Sequence, residues 1–113
     1  MTEFKQLDIY WVDLDSSLGA ETQKLRPCVI IQNDLVNIQS KTLIVAPLLP
    51  NHRPWPFAVN LTPTNDNGLD MDRHINLKQL RAIDISRIGK KQGIVENEYL
   101  HAIKQALTII VDL

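Results

Sequence analysis

Pro27 opens four consecutive apolar residues, Cys28-Val29-Ile30-Ile31, and the run closes on the polar Gln32-Asn33-Asp34. So short and continuous a run lacks the length of a helix and the alternation of a half-solvated strand; it reads as a strand buried on both faces. Proline fixes its own φ, carries no N–H donor and holds the preceding residue extended, so it suits the start or edge of such a strand. Arg26 is thereby delivered to the head of a stiff element by a loop that begins at Gly19-Ala20-Glu21. A permanent cation whose direction is set so locally reads as a working group.

The remaining pattern is of short strands broken by turn formers. Leu7 to Leu14 is rich in β-branched and aromatic residues, and Asp15-Ser16-Ser17 with Gly19 breaks it. One helical turn is expected at Asp34 to Asn37, a third strand over Thr42 to Leu48, and a fourth over Phe57 to Leu61. Thr62 to Gly68 is dense in turn residues and must be a surface connection. Weaker strands follow at His74 to Leu77 and Leu80 to Ile83, and Gly89 and Gly93 bracket Lys90-Lys91 in what reads as a turn. From Asn97 the period changes. Leu100, Ile103, Ala106, Leu107, Ile110 and Val111 fall on one side of a helix, with Asn97 as its expected N-cap. A single domain over 1–113 is expected, mostly β, with the helix closing one opening of a curved sheet.

Composition narrows the function classes. With 113 residues and 44% hydrophobic content the chain can build one core, though one small enough to profit from dimerisation. Its single cysteine, Cys28, has no partner within the chain and fits a reducing cytoplasm. No basic, apolar leader is present, and the longest apolar stretches are far too short to cross a bilayer. A formal charge of -1 argues against bulk electrostatic binding of nucleic acid, yet the charge is uneven. Met1 to Glu21 sets Lys5 against Glu3, Asp8, Asp13, Asp15 and Glu21, whereas Arg73 to Lys91 sets six cations against Asp84 alone. One end can meet phosphates, unless those cations are paired with the acidic N-terminal segment.

The stretch GAETQKLRPCVIIQND resembles the signature of the MazF/PemK (Kid) family of toxin endoribonucleases. Three further blocks agree in order and spacing: Asp8 to Leu14, Trp55-Pro56-Phe57-Ala58-Val59, and Gln79 to Arg87. The resemblance implies a small SH3-like, partly open barrel of antiparallel strands with a C-terminal amphipathic helix. It further implies a cytoplasmic homodimer, a cognate antitoxin, and metal-independent cutting of single-stranded RNA at a short sequence to 2′,3′-cyclic phosphate and 5′-OH ends, with no cofactor. Fold alone does not fix this activity, because the gyrase-poisoning toxin CcdB is similar in fold and does no RNA chemistry.

Such cleavage needs the 2′-OH proton removed, charge stabilised at phosphorus, and a proton supplied to the departing 5′-oxygen. The forked donors of Arg26 suit the second task. Its high pKa makes it a poor base. The resemblance also marks two departures: Leu49 stands where the family usually carries a threonine hydroxyl, and Lys78 where some members carry an acid. His52, in the Pro-rich loop past Leu49, or His74, between Arg73 and Ile75, offers an imidazole to fill the gap, His52 being preferred. Arg53 and Trp55 can stack unpaired bases, Trp55 having core packing as its plainer role. Gln79 is expected to contact substrate, with Lys78, Arg81 and Glu21 beside it; alternatively, Glu21 or Asp13 braces Arg26. Arg81, Asp84 and Arg87 are expected to form a structural ion-pair set. The competing readings are a relative that acts only by binding RNA, an antitoxin or gyrase, and an SH3-like interaction domain with an architectural arginine.

Overall fold

A computed structural model describes residues 3–14, 25–37 and 40–113. Glu21 and the loop that leads to Arg26 lie outside the described residues. The strands are β1 (Asp8–Asp13), β2 (Leu25–Ile30), β3 (Thr42–Pro50), β4 (Ala58–Leu61), β5 (Arg73–Asn76), β6 (Arg81–Asp84) and β7 (Ile88–Ile94). A one-turn helix α1 (Asp34–Asn37) follows β2, and α2 (Leu100–Ile110) closes the chain.

All pairings are antiparallel, in the order β4-β5-β3-β2-β1-β7, with β6 also on β3. The path does not close, so this is the expected mostly β architecture in the form of an open sheet. β3 organises it, because β5 and β6 share one of its edges in succession: Leu48 to Pro50 pair with β5 and Thr42 to Val45 with β6. The 3₁₀ turn Leu77–Gln79 bridges the two and is capped by Asn76 Oδ1, which accepts from Lys78 N at 3.1 Å.

Strand alternation divides the buried residues between two faces. Ile9, Val29, Ala46, Leu48, Val59 and Ile75 pack with Ile103 and Ala106 of α2. Tyr10, Val12, Cys28, Ile30, Leu43, Val45 and Ile83 form the core of the other face, where Phe4, Leu14 and Ile88 close over it. The apolar run of β2 feeds both, Cys28 and Ile30 to one and Val29 to the other, as its continuity predicts.

Three local expectations are corrected. Lys90-Lys91 lie not in a turn but within β7, an end strand held by contacts the pattern does not reveal. Trp11 Nε1 donates to Gln92 Oε1 at 2.7 Å, Ile94 N donates to Asp66 O at 2.9 Å, and Gln92 Nε2 donates to Gly68 O. Asn97 is not an N-cap but opens a 3₁₀ turn, Asn97–Tyr99, that leads into α2. The apolar stripe of α2 outruns the sheet, leaving Ile110 and Val111 exposed. No helix among the described residues is long and apolar enough to cross a membrane.

Candidate nucleic-acid interface

The second face carries the charged groups beyond its core. Arg26 pairs with Val12 of β1, and the β2–β3 register, Cys28 with Pro47, continued by two residues sets Arg26 against Leu49. Leu49 in turn faces His74 of β5, which faces Asn60 of β4. One row across the sheet therefore reads Val12, Arg26, Leu49, His74, Asn60, with all five side chains on the same face by alternation. Arg81, opposite Val45, belongs to this face too.

Arg26 is partly exposed, Arg81 is exposed, and neither joins the ion pairs seen among the described residues. Between them lies the Cys28 thiol, which burial pushes up to about 12 even though both guanidinium groups pull it down. Two cations without an ion-pair partner among the described residues, over a low-dielectric floor, attract an anion and offer forked donors to its oxygens.

Beside this pair the Asn51–Phe57 loop folds over the row. Asn60 ties it down, accepting from Arg53 N at 2.9 Å and donating to Arg53 O at 3.1 Å. The Arg53 guanidinium lies 5.5 Å from the Trp55 ring, Trp55 stacks on Phe57 at 5.3 Å and 21°, and Lys78 Nζ lies 5.5 Å from Phe57. Cation, ring, ring and cation form one ladder that joins Arg53, Trp55 and Lys78 through Phe57. Trp55 is 40% exposed, so its indole is both packed and available. On the helix side Trp55 and Asn60 also border a groove of about 810 Å³ against Ala102, Gln105 and Ile109 of α2.

The histidines part company. His52 is exposed at the β4 end of the sheet, three strands from β2; its Nε2 lies 2.9 Å from Leu61 O, to which it must donate, and 3.9 Å from Asp72 Oδ2. His74 is 2% exposed, with Nδ1 2.7 Å from Asn51 O and its ring edge-on to Trp55 at 5.5 Å. Gln79 is exposed in the turn between β5 and β6.

Part of the cationic stretch is structural. Arg73 is 7% exposed; its Nε donates to Asp70 Oδ1 at 3.1 Å and its Nη1 to Leu48 O at 3.0 Å, and this contact holds the Asp70 carboxyl below the usual range. Lys91 pairs with Asp8 at 3.4 Å and Arg87 reaches Asp13 O at 3.3 Å, so the acidic N-terminal strand does answer part of the basic segment. The expected Arg81–Asp84 contact does not form, because residues three apart on a strand face opposite ways. Asp84 instead accepts from Ser86 N at 2.8 Å, which holds its carboxyl low.

Comparison with known proteins gives the family and the fold. Residues 5–111 match the family described as PemK-like, MazF-like toxin of type II toxin-antitoxin system. The chain is 31% identical over 110 residues to endoribonuclease EndoA of Bacillus subtilis, covering 96% of this chain and 95% of that protein. It is 33% identical over 108 residues to endoribonuclease MazF of Staphylococcus saprophyticus, covering 94% and 89%. Its fold is that of Mycobacterium tuberculosis toxin MazF-mt6, with a TM-score of 0.79 at 22% identity, covering 94% of this chain and 97% of that one. With the family model spanning nearly its whole length, the chain belongs to the PemK-like, MazF-like toxins of type II toxin-antitoxin systems.

Proposed function

We propose that this protein is the toxin of a toxin-antitoxin pair and acts as an endoribonuclease on single-stranded RNA in the cytoplasm, as a homodimer restrained by its antitoxin. The observation that carries this reading is the pair Arg26, partly exposed, and Arg81, exposed, on one face beside a cation–aromatic ladder, in a chain whose relatives are named endoribonucleases. Arg26 binds the non-bridging oxygens of the scissile phosphate and stabilises the charge that grows there. Arg53, Trp55, Lys78, Gln79 and Arg81 hold the flanking nucleotides by stacking and by phosphate contact, with Glu21 contributing from its loop. An imidazole, from His52 or His74, handles the 2′-OH proton, the reaction needs no metal, and the products carry 2′,3′-cyclic phosphate and 5′-OH ends.

The test is cleavage of a labelled, unstructured RNA in EDTA. The wild type is expected to cut, and Arg26→Ala to cut at least about 100-fold more slowly, the usual loss when a group stabilising transition-state charge is removed. Equal rates for the two proteins sink the assignment of Arg26.

The row position opposite Arg26 favours weighing a second reading, since Leu49 can neither donate nor accept. A binding derivative would leave RNA intact and gain cleavage on Leu49→Thr. A parent that already cuts excludes it.

A further inference from the structure

We infer that His74 is the general base of this chain, uncovered when an unpaired base draws Trp55 away. The inference rests on the nuclease reading above and extends it to one atom, Nε2. A carbonyl can only accept, so the 2.7 Å contact with Asn51 O fixes a proton on Nδ1, and in the neutral ring the lone pair is then on Nε2. That lone pair is buried and has no partner among the described residues. Unpaired buried nitrogens are rare and ask for a reason.

The support for the orienting carbonyl is itself costly. Asn51 sits at φ 71, in the left-handed region, with its N–H donating to Asp72 O at 2.9 Å and its carbonyl accepting from His74. Backbone strain of this kind persists where the surroundings over-determine it, and here it holds an imidazole in one tautomer and one orientation.

Placement on the row supplies the substrate. His74 is two strands from Arg26 on the same face, a separation of about 10 Å between backbones. An arginine side chain reaching along the row, a phosphate and a ribose span that distance. Leu49 between them offers no competing polar atom. His52, at the far edge strand with its Nε2 engaged by Leu61 O, lacks this geometry.

What faces the ring is mostly neutral: Leu49 from β3, Asn60 from β4, the Asn51 carbonyl and the Trp55 indole from the loop. Arg53 lies beyond Trp55, His52 and Asp72 meet at the turn beyond Asn51, Arg26 lies along the row, and Arg73 is turned to Asp70 and Leu48 O. In the step itself the 2′-OH proton passes to Nε2, the 2′-oxygen bonds to phosphorus, and the P–O5′ bond breaks. The 5′-oxygen takes a proton from water, and the imidazolium returns its own to solvent.

The test compares the wild type with Arg26→Ala, His74→Val and His52→Gln on the labelled RNA from about pH 5 to 9, the range over which an imidazole titrates. The wild-type rate is expected to rise to a plateau through that range. His74→Val should lose about 100-fold or more and lose the inflection, while binding of a 2′-deoxy analogue is unchanged. His52→Gln should keep both rate and inflection. Loss of the inflection in His52→Gln, with His74→Val retaining it, would place the base on His52 and overturn the inference. Valine suits a buried strand position and removes the unpaired nitrogen, so folding should hold, as thermal melting will check; His74→Gly with added imidazole gives a second reading, partial recovery of rate. A His74→Val protein that cuts at the wild-type rate, or keeps the inflection, overturns the inference. If the wild type and Arg26→Ala both leave every RNA intact, the nuclease reading fails and this assignment falls with it.

Discussion

The residues whose placement was legible are those whose environment is set within a few positions along the chain. Arg26 is fixed by Pro27 after it and the apolar run beyond, and the structure accordingly presents it, partly exposed, at the head of β2. Arg73 and His74 were illegible for the converse reason. Their burial depends on Asp70, on the Leu48 carbonyl and on a loop that returns from the fifties, none of which leaves a mark next to Arg73 or His74. Strand alternation was the one available signal: Ile75 faces the α2 side, so His74 must face the other. Cys28 offers the simplest check of residue-scale electrostatics. Burial raises its pKa to about 12, Arg81 and Arg26 offset this only in part, and so the thiol is protonated at neutral pH. Iodoacetamide at about pH 8 should leave the folded protein unlabelled and label it on unfolding in guanidinium. Labelling of native protein at the unfolded rate would show that neither the burial nor the paired guanidinium environment is as described.

At the scale of elements the same division holds. Strands with their own apolar pattern, β1, β2, β3 and β4, lie within a residue or three of their expected bounds, as does α1. β7 was missed because Gly89-Lys90-Lys91-Gln92-Gly93 has neither alternation nor β-branched residues; it is a strand only because β1 pairs with it and the Thr62–Gly68 turn docks against it. Asn67 holds that turn, its Oδ1 accepting from Thr64 N and Leu69 N, both at 2.9 Å. Gly93 is a point of close approach between strand and turn, since a Cβ there would stand 2.5 Å from the backbone of Asp66 and Asn67. Gly93→Ala should therefore destabilise the protein by about 1–3 kcal/mol, the cost of overpacking a tight site, visible as a melting temperature several degrees lower. Gly89, whose added Cβ would come no closer than 3.4 Å to Trp11 O, is the control and should tolerate alanine. Equal melting temperatures for the two variants would mean that β7 does not depend on that contact.

At the scale of the whole molecule, a net charge of -1 supplies no long-range attraction to RNA, so affinity must come from a local patch. The run from Arg73 to Lys91 promised six cations for that patch, but Arg73 is spent on Asp70, Lys91 on Asp8, and Arg87 reaches the backbone of Asp13. The groups the fold leaves facing the row and its ladder are instead drawn from across the chain: Arg26, Arg53, Lys78 and Arg81. This sorting is what an open sheet with two cores achieves, Asp8 of the first strand answering Lys91 of the last while Arg26 of β2 and Arg81 of β6 stay toward solvent. The consequence is quantitative. Each phosphate neutralised on a single strand contributes about -0.7 to the slope of log affinity against log salt, so four contacts predict a slope of about -3 for a 2′-deoxy analogue too stable to be cut. Arg81→Ala should flatten that slope by about 0.7. Lys91→Ala should leave it nearly unchanged, because that charge already answers Asp8. Fluorescence anisotropy over a potassium chloride series reads all three values. A slope that flattens for Lys91→Ala and not for Arg81→Ala would move the RNA path from the second face of the sheet to the β7 edge.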